Sequence, residues 1–168
     1  MTKQEAVLKL LQSNNKEHIL QGLNEFEANH FTAILPDVIF LYNNCQDAEI
    51  KAKIIFLLTN MKQNSAVDIL VSSLNEIKDI NLYPELIRSC WENGLNFSAH
   101  LAFFSEIFIR SSYLVALEAF TVIEENIGKS SKKQIQEILS LLKSNKKNLS
   151  NDKMRLYEEL ISVVERYG

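Results

Sequence analysis

Apolar residues recur along this chain at three- and four-residue steps, in stretches separated by short polar breaks, and that period is helical. Residues 32–62 show it most clearly: TAILPDVIFLYNNCQDAEIKAKIIFLLTNMK. Val38, Ile39, Leu41 and Tyr42 form one stripe, and Ile50, Ile54, Leu58 and Met61 form a second. Gln46 and Asp47 interrupt them, and Asp47 is a good N-cap for the second helix because its carboxylate can accept from the first free amides. Each predicted helix is about three turns long, too short to be stable without a neighbour for its apolar face. Pro36 is expected one turn inside the first helix, where it removes an amide donor and bends the axis.

The same reading divides the rest of the chain into helices. Thr2 and Glu5 form a capping box ahead of Ala6, Val7, Leu10 and Leu11, and Asn14 and Glu17 a second one ahead of Ile19, Leu20, Leu23 and Phe26. Asn64 or Ser65 caps a fifth helix. Pro84 opens a sixth, where a missing amide is harmless, and Gly94 ends it. Ser98 caps the seventh, and Ser111 or Ser112 the eighth. The eighth is apolar around most of its circumference from Tyr113 to Ile123, which predicts protein on several of its sides. Ser130 or Ser131 caps the ninth, and a polar loop, SNKKNLSND, precedes the tenth.

A spacing of 32 residues relates these segments. Asn15, Asp47, Asp79 and Ser111 are all N-cap types; Val7, Ile39, Val71, Phe103 and Ile135 are all apolar. Leu23, Ile55, Ile87 and Ala119 form another apolar column, and Phe26, Leu58, Cys90 and Val122 a further one. Self-similarity at such a period is the mark of a repeat architecture. Leu35, Pro36, Asp47, Ile50 and Lys51, followed by the I-I-x-L-L run, resemble a HEAT repeat. The resemblance implies an all-α superhelix, a solenoid of about five helix pairs forming a single domain over 1–168, in preference to a compact bundle. HEAT-like arrays often carry a ladder of turn Asp and a following basic residue. Here that basic column reads Ile19, Lys51, Tyr83 and Val115, so apolar packing must hold neighbouring repeats.

Composition narrows the class without naming a function. Of 168 residues, 46% are hydrophobic and 23% charged, enough for a substantial core. Four glycines and two prolines leave little for tight turns and argue for long helices. A net charge of −3 gives no global attraction to nucleic acid or anionic lipid. Cys45 and Cys90 belong to no CxxC pair and read as free thiols in a reducing compartment. No apolar run approaches the length of a membrane span, and the first residues lack a signal-peptide core. A cytoplasmic protein is expected.

Signatures of nucleophilic, metal or phosphate-binding sites are missing from the sequence. His18, His30 and His100 are dispersed; His18 takes a column position equivalent to Ile50 and is expected to be half-buried. No cofactor and no metal site is expected. Residues 79–127 carry seven carboxylates against Arg88 and Arg110, whereas residues 128–168 carry nine Lys or Arg and five acids. Lys129, Lys132 and Lys133 lie at the opposite end of the ninth helix from Lys143, Lys146 and Lys147, so they form no continuous phosphate-tracking stripe. Glu92 and Glu124 hold equivalent positions on neighbouring second helices, roughly 10 Å apart if those helices pack.

In an α-solenoid the second helices usually line the concave face. Opposite their packed stripes fall Phe56, Arg88, Glu92, Phe120 and Glu124, with Trp91 at the margin. Aromatic residues and an arginine in one patch have the composition of a protein-binding hot spot. The expectation is a non-catalytic scaffold that docks a peptide, helix or loop of another protein on Phe56, Arg88, Trp91 and Phe120, with Glu92 and Glu124 selecting a basic partner. Two other readings stay open: an enzyme or cofactor-handling protein, as among HEAT-like lyases that attach bilin chromophores, and nucleic-acid binding through the basic C-terminal part, for which HEAT-like alkyl-base DNA glycosylases give the architecture. Self-association through an uncapped terminal repeat is a further option.

Overall fold

The computed structural model describes all of residues 1–168. It is all-helical, with ten α-helices and no strand; 78% of the chain is helix. By its internal contacts the chain forms two compact units, Met1–Lys78 and Asp79–Gly168.

The first unit holds α1 (Lys3–Leu11), α2 (Lys16–Asn29), α3 (Leu35–Asn44), α4 (Ala48–Thr59) and α5 (Ala66–Asn75). The Thr2–Glu5 capping box forms as the sequence predicts, the Thr2 hydroxyl accepting from the Glu5 amide and the Glu5 carboxylate from the Thr2 amide. For α2 the cap is Asn15, whose side-chain oxygen accepts from the Glu17 and His18 amides. The expected Asn14–Glu17 box does not form; the cap lies one residue later and is one-sided. Asp47 caps α4 through the Glu49 and Ile50 amides, and Lys16 pairs with it at 3.0 Å. The Lys16 ammonium and those amides hold the Asp47 carboxyl below its ordinary value.

Pro36 does not bend a helix from within. A 3-10 turn, Thr32–Ile34, comes first and α3 starts at Leu35, so Pro36 falls in the opening turn, where no amide donor is needed. In this unit α1 packs on α2 and α3, α2 on α4, and α3 on α5. Leu23, Phe26, Leu35, Val38, Ile54 and Leu58 are buried at its centre. The α1–α2 contact is close at Gly22: a Cβ there would lie 2.9 Å from Leu10 Cβ.

The second unit holds α6 (Pro84–Glu92), α7 (Leu101–Arg110), α8 (Tyr113–Asn126), α9 (Lys132–Ser144) and α10 (Met154–Glu165). Pro84 opens α6, and Gly94 leaves it with φ 71°, a left-handed conformation that only glycine adopts without cost. Ser98 caps nothing; it begins a 3-10 turn, Ser98–His100, ahead of α7. Ser131 forms a capping box with Gln134 on α9. As its all-round apolarity predicts, α8 is packed on several sides, by α6, α7 and α10.

Two buried polar side chains pin this unit. The Asn126 side-chain oxygen accepts from the Phe97 amide at 2.9 Å while its nitrogen donates to the Val122 carbonyl, so the loop before α7 is tied to the end of α8. Lys153, also buried, donates to the carbonyls of Phe108, Ile109 and Ser111. Those carbonyls lie at the end of α7, where the helix has no amides of its own left to satisfy them. Burial pushes the Lys153 pKa down, with Asp152 acting against that. No helix is long and apolar enough to cross a membrane.

Candidate binding surface

The sequence-selected residues fall in both units, Phe56 on α4 and the other five on α6 and α8. The latter two helices pack directly on each other. Their buried rows are Leu86, Ile87 and Cys90 on α6 and Val115, Ala119 and Val122 on α8. Ser89 on α6 and Ala116, Ile123 and Asn126 on α8 are buried as well.

Between these rows sits Glu118, a residue that sequence reasoning counted only among the acids of the surface. It is 8% exposed and gathers two of the selected side chains. Arg88 donates to its Oε1 through Nε at 3.0 Å and Nη2 at 2.7 Å. Trp91 donates from its indole Nε1 to Oε2 at 2.8 Å. Glu118 raises the Arg88 guanidinium above its ordinary value, and the more distant Glu92 and Glu85 carboxylates act in the same direction. Both oxygens of a nearly buried carboxylate are thus bonded, as burial requires. Arg88 and Trp91 are tied to one carboxylate, yet the Arg88 side chain stays 47% exposed and Trp91 half-buried.

Phe120 is half-buried, and Glu92 and Glu124 are exposed. Sequence reasoning missed two apolar side chains that α8 leaves outside, Leu114 at 64% exposure and the less exposed Tyr113; Leu117, also exposed, lies opposite the packed stripe, where helical spacing puts it. Leu114, Leu117 and Phe120 recur at three-residue steps, so α8 carries an accessible apolar stripe in addition to its core face. The signal was present in the all-round apolarity of this helix. In the other unit, Phe56 is 52% exposed, with Lys53 Nζ 5.4 Å above its ring. That lysine also pairs with Glu27 at 2.8 Å.

The histidines are peripheral. His18 is exposed, not half-buried as expected, and its Nδ1 lies 3.2 Å from the Ser13 hydroxyl. His30 is exposed and contacts the Gln63 amide at 2.9 Å. Several of the C-terminal cations are engaged within the unit: Lys143 pairs with Glu165 at 2.7 Å and Lys146 lies over the Tyr157 ring at 5.5 Å.

No family model matches this chain, and comparison with curated proteins and with solved structures finds no match either.

Proposed function

We propose that this chain is a non-catalytic scaffold that binds a segment of another protein, and that its helix pairs are arranged as a HEAT-like solenoid. The observation that carries the binding reading is the Arg88–Glu118–Trp91 cluster. Two side-chain types that dominate binding hot spots are hydrogen-bonded at an accessible surface to a carboxylate from the interior. Such a surface loses little side-chain entropy when a partner arrives. The exposed stripe of α8 beside it offers apolar area of the kind that monomeric proteins seldom leave uncovered. Glu92 and Glu124 give it a negative rim, so the preferred segment is apolar with basic flanks.

Support for the repeat arrangement comes from the contacts within each unit. First-of-pair helices pack on each other (α1 on α3, α3 on α5, α7 on α9), and second-of-pair helices do likewise (α2 on α4, α6 on α8, α8 on α10). Two free cysteines favour a reducing compartment, and we place the protein in the cytoplasm on that ground.

The chain contains a single tryptophan, so Trp91 emission reports on this surface alone. A partner is captured with the wild-type protein, purified and titrated while Trp91 emission is followed. The expected outcome is a blue shift on saturation, with affinity reduced about tenfold by Glu92→Lys/Glu124→Lys. These exposed positions are safer probes than Arg88, whose removal strips Glu118 of a partner. A captured partner that leaves Trp91 emission unchanged and binds the double variant equally well overturns the assignment.

A further inference from the structure

A groove between α3 and α5 of the first unit involves none of the residues of the α6–α8 surface. One wall is Pro36, Ile39, Phe40 and Asn43; the other is Ile69, Ser72, Ser73 and Glu76. Each wall runs i, i+3, i+4, i+7, one face of a helix, so the trough is about two turns or roughly 10 Å long. It is open to solvent along its length and encloses about 460 Å³. Phe40 stands on its edge at 70% exposure. The same ring borders a second hollow of about 540 Å³, which Leu11 and Ile19 of the first hairpin form with Asp37 and Leu41 of α3. One exposed phenyl ring therefore separates two depressions on one surface of the unit.

The charge of this surface is of one sign. Asp37, Asp68 and Glu76 line the two hollows, and no Lys, Arg or His lines either. A purely apolar occupant would desolvate the Asp37 and Glu76 carboxylates, and an acidic one would be repelled. An occupant with Lys or Arg beside its apolar stripe satisfies both demands. The walls are helices whose backbone groups are already bonded, so they offer no ladder to an extended peptide, whereas a helix brings its own backbone bonds with it. Two hollows either side of a ridge suit anchor side chains on successive turns of such a helix, with the Phe40 ring as a knob between them.

We propose that this groove docks a basic amphipathic helix of a partner protein, with Phe40 seated between its apolar anchors and Asp37 and Glu76 facing its Lys or Arg residues.

The test uses the full chain and a fluorescein-labelled peptide of about 18 residues, roughly five helical turns, with Leu on one face and Lys on its flanks. A twin peptide carries Glu in place of Lys. Anisotropy gives the affinity and amide chemical shifts give the location. Binding of the Lys peptide is expected to perturb α3 and α5, to weaken more than tenfold in Phe40→Asp and about fivefold in Glu76→Lys, and to fall as salt rises. The Glu peptide is expected not to bind. Failure of the Lys peptide to bind, shifts that spare α3 and α5, or α3 and α5 shifts that saturate equally well in Phe40→Asp overturn the proposal. Should Phe40→Asp lose its helical circular dichroism, Glu76→Lys decides. A wild-type dimer in sedimentation that Phe40→Asp dissolves would make a second copy the occupant and likewise overturn it. Glu92→Lys/Glu124→Lys, which removes the charge complement of the α6–α8 surface, is expected to leave the α3 and α5 shifts unchanged, so the two surfaces can fail separately.

Discussion

At the scale of single residues, Glu118 is where the sequence and the folded chain differ most instructively. Its position in the 32-residue frame follows Gly22, Ile54 and Leu86, and Ile54 and Leu86 are fully buried. A carboxylate in that column has to find partners inside the protein, and Arg88 and Trp91 are those partners. The signal was therefore legible, but only to a reading that asks which acid interrupts an apolar column, not how many acids a region holds. The pair is asymmetric, with Glu118 nearly buried and Arg88 half outside. Arg88→Met leaves a desolvated carboxylate with one indole donor and is expected to cost about 2–3 kcal/mol. The double variant Arg88→Met/Glu118→Met removes the burden along with the pair and is expected to lie within about 1 kcal/mol of wild type. Urea unfolding of the two single variants and the double gives the cycle. Strict additivity would mean that the buried carboxylate does not organise this surface.

Among the helices, those whose caps are spelled out locally were the readable ones. Thr2 with Glu5, Asp47, and Ser131 with Gln134 cap by short-range hydrogen bonds that the sequence contains in full. Ser65 and Ser112 occupy cap positions without making a side-chain bond; a 3-10 turn stands before α7 where a Ser98 cap was expected, and another before α3 where the sequence names no cap. These departures are set by how a helix must enter its unit, which no local pattern encodes. Gly22 is the extreme case, a glycine inside α2 with no turn to make. By propensity alone Gly22→Ala should stabilise α2 by about 1 kcal/mol. Packing reverses the sign: the new Cβ would meet Leu10 Cβ at 2.9 Å and the Leu11 amide nitrogen at 3.3 Å, and neither atom is the free end of a flexible side chain. A net loss of about 1–2 kcal/mol is expected, read as a lower urea midpoint. A gain in stability would show that α1 and α2 can separate freely.

For the molecule as a whole, the 32-residue frame carried the core well. Phe26, Leu58, Cys90 and Val122, one column, are all buried, and two of them belong to each unit. The frame was read as one continuous domain over 1–168 and held no sign of the grouping into two units, because a repeat reads alike on either side of such a boundary. Each unit contains one cysteine, and the two thiols probe the units chemically. Cys45 is half-buried, next to the α4 cap. Cys90 is fully buried in α6, within reach of the Leu86 carbonyl, and burial pushes its thiol up to about 12, with Ser89 acting against that. Alkylation needs the thiolate, so Cys90 is shielded both by the core and by its proton. N-ethylmaleimide is expected to modify Cys45 in the native protein and Cys90 only through unfolding. With a stability of about 5 kcal/mol or more, Cys90 should react at least about a thousandfold more slowly in buffer than in urea. Mass spectrometry of the quenched peptides separates the two sites. The outcome bears on function because Cys90 lies between Arg88 and Trp91 on α6. A protected Cys90 means that this helix is held firmly enough to present both side chains in one arrangement. A Cys90 that reacts as fast as Cys45 would mean that α6 opens readily, and a surface on a loose helix would have to order Arg88 and Trp91 at the moment of binding.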